Sequence, residues 1–263
     1  MTATINVDLR LQILDMICKS GEGHIPSSFS IVDIIEYVYQ NVLRITPKQV
    51  NSVERDYFIL SKGHGAAALY VVLAKHGFLD TQDLASYGEL KSSLGGHPDT
   101  VKVDGIEAST GSLGHGMPIG VGISLGLKIQ NLENRVICLV GDGECQEGTI
   151  WEAANIVANQ KLGNLVVIVD WNGSAQQLLP IENLSAKWKA FGWNVIIANG
   201  HSNESLRDGF EEISEAMANG IPSVIIAETT KGKGSSLLEG HGIWHHKIPN
   251  TDERIQIEAD LNG

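Results

Sequence analysis

An aspartate stands between two glycines in Gly141-Asp142-Gly143, directly after the apolar run 135–140 and ahead of an amphipathic segment. Alone, Asp142 could do no more than cap the next helix. Asn172 closes the following apolar run, 164–170, thirty residues further on. That spacing is one strand–turn–helix–strand unit, and in open parallel sheets ligands gather outside the carboxyl ends of the strands. Both side chains can therefore meet at one crevice. A carboxylate, an amide oxygen and a main-chain carbonyl are hard donors, suited to Mg²⁺ or Ca²⁺ and unsuited to a thiol-seeking metal. Two protein side chains cannot complete an octahedron, so water and an anionic ligand must supply the rest. Phosphate oxygens fit that need: the glycines let backbone N–H groups approach, and the helix opening after Gly148 offers its positive end.

Histidine is the second chemical signal. Of nine histidines, His24, His64, His97, His115, His201 and His241 each follow a glycine directly, where the backbone turns tightly and the ring can stand clear. A neutral imidazole both donates and accepts near pH 7 and can pass protons between hydroxyls. His76 and His201 read as surface residues.

The elements that position these groups follow from periodicity. Residues 8–18 have helical spacing, and Ser30 is expected to cap a second helix over 31–43. A short strand ends in Ser61-Lys62-Gly63-His64, followed by a helix closed at Gly77, and residues 111–130 form a glycine-spotted helix. Strands at 135–140, 164–170, 193–199 and 222–228 then alternate with helices at 149–160, 184–191 and 203–219. Uninterrupted apolar strands alternating with helices predict a parallel sheet covered on both faces, an α/β fold. The tail from about 231 is loop-like. No repeat or linker divides residues 1–263, which read as a single domain.

Bulk composition excludes several classes. Of 263 residues, 43% are hydrophobic and 19% charged, and the formal net charge is −12, which disfavours a nucleic-acid or anionic-membrane surface. No apolar run approaches a membrane span, and the first residues lack the pattern of a secretory signal. Cys18, Cys138 and Cys145 are too few for a disulfide framework or a zinc site. A cytoplasmic protein with reduced thiols is expected.

The segment 141–172 resembles the thiamine-diphosphate signature GDG…N, and most closely the transketolase pattern GDG-x-x-x-E-G-x-x-x-E, met here by Glu147 and Glu152. Arg55-Asp56 through Tyr70 is similar to the transketolase segment containing SKGH, Gly96-His97-Pro98-Asp99 to its GHPE, and Thr110-Gly111-Ser112-Leu113-Gly114 to its TGSLG. Residues 229–234 and 244–249 are similar to the end of the family's diphosphate-binding domain. The resemblance runs over nearly the whole chain and implies the three-layer thiamine-diphosphate-binding fold, with a central parallel sheet and helices on both faces. It implies that Asp142, Asn172 and the main-chain oxygen of Ser174 hold the metal. Gly141, Gly143 and Glu144 would sit at the diphosphate. His64 and His245 would border diphosphate and thiazolium, with His241 and His246 as close rivals of His245. Gly111, Ser112 and Leu113 would lie at the aminopyrimidine, and His24 and His97 would face the hydroxyls of a donor sugar. His115 replaces a common glutamine and has no assigned role. Lys231 and Lys233 could meet a phosphate or simply be solvated. Two segments depart from the family: 21–28, and 172–177, where small polar residues follow the metal asparagine.

A transketolase site also needs a pyrimidine-binding domain that supplies a glutamate to the cofactor's aminopyrimidine. After Asn250 only 13 residues remain. The resemblance therefore implies the N-terminal subunit of a split transketolase, moving a two-carbon ketol unit between sugars or sugar phosphates with thiamine diphosphate and Mg²⁺ (or Ca²⁺). It would work with a separate C-terminal pyrimidine-domain subunit in an α₂β₂ assembly, Glu147 pairing with the partner's glutamate and helix 114–128 lying at the interface. Two alternatives stand beside it. One is a subunit of another thiamine-diphosphate enzyme, deoxyxylulose-phosphate synthase-like or 2-oxoacid dehydrogenase E1α-like. The other is a non-catalytic regulator that keeps the fold.

Overall fold

The computed structural model describes residues 5–240 and 242–263, so His241 lies outside the described residues. The helices are α1 (Val7–Ser20), α2 (Ile25–Asn41), α3 (Ala66–Lys75), α4 (Gly116–Ile129), α5 (Gly148–Asn159), α6 (Leu184–Ala190), α7 (Asn203–Ala218) and α8 (Thr251–Asn262). Strands β1 (Tyr57–Leu60), β2 (Val136–Gly141), β3 (Leu165–Trp171), β4 (Asn194–Asn199) and β5 (Ser223–Glu228) pair in parallel in the order β1-β2-β3-β5-β4.

Side chains alternate across a strand, and here the alternation sorts two cores. Ile137 and Leu139 of β2 and Val166 and Ile168 of β3 join the helices α1, α2, α3 and α7 on one face. Val136, Cys138 and Val140, with Val167 and Val169, join α4, α5 and Trp188 of α6 on the other. A sheet buried on both faces needs apolar residues at every position of its central strands, and β2 is buried throughout. The result is the three-layer α/β fold expected from the sequence.

The register sets the site. Gly141 lies beside Asp170, which lies beside Ala227. Asp142, Asn172 and Thr229 therefore leave three neighbouring strands at about the same level.

Several expectations are corrected, among them the helix over 111–130, which begins only at Gly116. Helix α2 begins at Ile25 with Pro26 in its first turn, and Ser30 lies inside it. Proline's fixed φ starts the helix early, and the Ser30 Oγ lies 3.0 Å from the Ser27 carbonyl and donates its proton to Asp170 Oδ2 at 2.9 Å. The tail is not all loop: it ends in helix α8, where Asn250 and Glu253 form a reciprocal capping box. His201 is not a surface residue: it is 6% exposed and hydrogen-bonded to Asp33. His76, half-buried, pairs with Glu36 at 3.1 Å. Among the described residues no helix is long and apolar enough to cross a membrane.

Candidate functional site

A cavity of about 260 Å³ opens at the carboxyl ends of β1, β2 and β3, lined among others by Lys62, His64, Asp142, Asn172, Lys231 and His245. Behind the lining residues Lys62 and Asn172, and bonded to both, lies Asp170, the one polar residue of the otherwise apolar strand β3. The carboxylate is fully buried and accepts from Lys62 Nζ at 2.5 Å, Ser30 Oγ at 2.9 Å, Asn172 Nδ2 at 2.8 Å and the Thr229 hydroxyl. Burial alone would raise its pKa, but the Lys62 ammonium and these donors hold it below the ordinary value. Neither Lys62 nor Asp170 is singled out by sequence reasoning. Their one signal in the sequence is a charged residue ending an apolar run, and the two lie 108 positions apart.

Asp142 is 3% exposed, and both its oxygens accept backbone N–H groups: Oδ1 from Gly143 at 2.7 Å and Oδ2 from Ala175 at 3.1 Å. Burial raises its pKa, with the Asp170 charge adding to the effect. Asn172 turns its amide nitrogen to Asp170 and its oxygen to the Ser174 N–H at 3.0 Å. The turn 172–175 thus wraps both candidate ligands. Among the described residues no cluster of three or more His, Cys, Asp or Glu forms a metal site. A cation here would depend on one carboxylate, amide, carbonyl and water oxygens and its own anionic ligand, a donor set suited to Mg²⁺.

Lys231 is 8% exposed, its Nζ 3.2 Å from Ser174 Oγ and 3.1 Å from His245 Nδ1. Burial, then the neighbouring Lys62 charge, lowers its pKa. Lys233 turns away to Glu239 at 3.4 Å. The two lysines that the sequence leaves open are therefore distinguished: one lines the cavity and the other does not.

The histidines gather at the mouth. His24 stacks edge-on against His64 at 5.4 Å between ring centres and against His246 at 4.7 Å, and its Nδ1 meets the His245 carbonyl at 2.9 Å. Burial pushes the pKa of His24 down to about 4 and that of His64, with help from Lys62, down to about 2. Both rings stay neutral at pH 7. His245 is lowered for the same first reason.

Other expected residues are placed as follows. Leu113, Gly141, Gly143, Glu144 and Ser174 line the cavity. The Glu144 carboxylate is spent on Ser61 Oγ at 2.5 Å, Gly114 N at 2.9 Å and Gly141 N at 3.1 Å, tying the end of β2 to the loop after β1 and the loop before α4. Gly111 and His97 lie beside the cavity: a Cβ on Gly111, at φ +148, would come 2.9 Å from His97 Cδ2, so only glycine admits that ring. Ser112 Oγ pairs with His115 Nδ1 at 3.3 Å. Glu147 is exposed at the start of α5, next to Gly114 and outside the cavity wall.

Residues 2–259 match the family model described as "Transketolase, thiamine diphosphate binding domain". The chain belongs to the transketolase family. It is 37% identical to an apulose-4-phosphate transketolase subunit from Phocaeicola vulgatus, over 97% of this chain and 95% of that protein. It is 36% identical to a 6-deoxy-6-sulfo-D-fructose transketolase subunit from a Clostridium species, over 93% and 90% of the two. The solved transketolase of Leishmania mexicana superposes with a TM-score of 0.86 at 26% identity, covering 97% of this chain and 40% of that one. The chain thus spans about two fifths of that transketolase and nearly all of the two relatives named as transketolase subunits. The matched residues correspond to the thiamine-diphosphate-binding domain of that family.

Proposed function

We propose that this chain holds thiamine diphosphate and Mg²⁺ for a two-component transketolase that transfers a two-carbon ketol unit from a ketose or ketose phosphate to an aldose. The observation that carries it is the meeting of Asp142 and Asn172, from the ends of adjacent strands, in one cavity with buried Lys231 and the neutral His64. The residues fit the group. Asp142 is a buried carboxylate facing backbone donors instead of a side-chain cation, and nothing lies within 4 Å of a Cβ built on Gly143, so its backbone is open to a ligand.

Asp142, Asn172 and the Ser174 carbonyl would hold the metal. Lys231, the Gly143 backbone and His64 would meet the diphosphate, with His245 beside them and Gly111, Ser112 and Leu113 at the aminopyrimidine. When bound, thiamine diphosphate supplies the nucleophilic carbon and electron sink for breaking and remaking a C–C bond. Kept neutral by burial, His24 and His64 can accept or donate a proton at substrate hydroxyls without adding charge to the site, and His97 stands beside them for the same task.

The partner is a C-terminal pyrimidine-domain subunit in an α₂β₂ assembly. Glu147 is exposed at one edge of the site. Ile119 and Ile129 are exposed on α4, where Cβ atoms on Gly122 and Gly126 would meet open space. The relatives named as transketolase subunits favour ketol transfer over another thiamine enzyme or a regulator. The test is to assay the chain with thiamine diphosphate, Mg²⁺ and a ketose phosphate, with and without the pyrimidine-domain subunit. Turnover only in the mixture is expected. Substantial turnover by the chain alone would defeat the two-component reading.

A further inference from the structure

A second buried polar cluster lies outside the cavity lining but touches the segment that carries Lys231. Arg10 of α1 is fully buried and makes a two-pronged pair with Asp33 of α2, Nη1 to Oδ1 at 2.8 Å and Nη2 to Oδ2 at 2.7 Å. His201, just beyond β4, places Nδ1 2.8 Å from Asp33 Oδ2. Its other nitrogen, Nε2, accepts the Thr230 N–H at 3.0 Å. An acceptor at Nε2 requires the proton on Nδ1, so the ring is neutral and donates to Asp33. Arg10 also donates from Nε to the Lys233 carbonyl at 2.8 Å. The segment carrying Lys231 is thus gripped by the same cluster at position 230 and at position 233.

We propose that Arg10, Asp33 and His201 form a positioning device that fixes the backbone on both sides of Lys231 and so aims its ammonium into the cavity. Buried ion pairs are weak evidence for stability in themselves, since an apolar replacement of similar volume is often as stable. An apolar cluster would fill the space, but it could neither accept the Thr230 N–H nor donate to the Lys233 carbonyl. The remaining supports of the loop fit the same purpose. Gly232 N donates to the Pro26 carbonyl at 3.0 Å, and a Cβ at Gly232 would stand 2.2 Å from the Leu238 oxygen, so the strap is packed too closely to shift without breaking these bonds. Asp33 stays ionised: burial opposes its charge, but Arg10 and His201 hold its pKa down to about 2. His201 and Arg10 act through Lys231 and touch neither substrate nor cofactor in this scheme.

The proposal rests on the cavity being the thiamine-diphosphate site, and its test separates the two. Amide hydrogen exchange of the unliganded chain should show residues 230–233 exchanging about tenfold faster in His201→Ala, the scale of one lost buried hydrogen bond, with α3 and β2 unchanged. Thiamine diphosphate with Mg²⁺, titrated calorimetrically into the chain reconstituted with the pyrimidine-domain subunit, should bind His201→Ala about tenfold more weakly. In a Lys231→Ala background the same change should cost almost nothing, because the group being aimed is gone. His201→Gln, whose amide oxygen can accept the Thr230 N–H, should recover most of the affinity and serves if the alanine variant unfolds. Unchanged exchange at 230–233, or an equal loss of affinity with and without Lys231, would overturn the positioning role alone. If the loop exchange of His201→Ala responds as expected but the wild-type chain, reconstituted with the pyrimidine-domain subunit, binds no thiamine diphosphate, the assignment of the cavity is overturned.

Discussion

Replacing Asp142 by asparagine keeps the side chain's shape and removes its charge. The structure separates the two consequences. Toward a metal, the variant loses the single charged oxygen donor among Asp142, Asn172 and the Ser174 carbonyl. Removing one partner of a buried charge pair costs about 3–5 kcal/mol, which at 1.36 kcal/mol per decade is a loss of roughly two to four orders of magnitude in metal-dependent cofactor affinity. Toward the fold, burial has raised the Asp142 pKa. The folded chain therefore holds that proton more tightly than the unfolded one, and ionisation costs stability as pH rises through the folded-state pKa. The asparagine escapes that cost but satisfies only one of the two N–H groups from Gly143 and Ala175. Its melting temperature relative to wild type should accordingly improve from acid to neutral pH in the absence of ligand. Calorimetric titration with thiamine diphosphate and Mg²⁺, beside scanning calorimetry across pH without them, reads both. Cofactor affinity within about threefold of wild type would refute the assignment of Asp142, and a stability difference independent of pH would refute the account of its burial.

Lys62→Met should lower stability by about 3–5 kcal/mol, since it strands the fully buried Asp170 charge, and denaturant unfolding will show it. His24 and His64 have folded-state pKa values of about 4 and about 2, below the ordinary value of 6.5. The unfolded chain therefore takes up more protons as pH falls, and stability is lost progressively below about pH 6.5. His64→Gln should flatten that loss in melting curves run from pH 7 to pH 4. Gly122→Ala, whose Cβ meets open space, should stabilise the isolated chain by about 0.5–1 kcal/mol through helix propensity. It should also weaken reconstitution with the pyrimidine-domain subunit, measured by analytical ultracentrifugation.

The sequence displays what local pattern encodes and conceals what pairing across the fold decides. Asp142 and Asn172 are legible because uninterrupted apolar strands place whatever follows them at one edge of a parallel sheet. The start of helix α2 is concealed because Ser27, Ser28 and Ser30 interrupt its apolar periodicity and are buried all the same. Helix α8 carries a local signal in its Asn250–Glu253 box, but its weakly amphipathic sequence offers no stripe to support it. Asp170 looks like the polar end of a strand, and His201 like one more histidine after a glycine. Each owes its importance to a partner far away in the chain, Lys62 and Asp33, and no spacing rule reaches that far.

A single carboxylate at position 170 ties together a helix and three strand ends, through Ser30, Lys62, Asn172 and Thr229. Mutational drift at those four positions is therefore coupled: a change at one alters what is permitted at the other three, and lineages should exchange them as a set or leave them alone. The rim obeys no such restraint. Leu178 borders the cavity yet is 90% exposed, and it can vary singly. New sugar preferences in this scaffold should arise by altering the lip while the base stays constant.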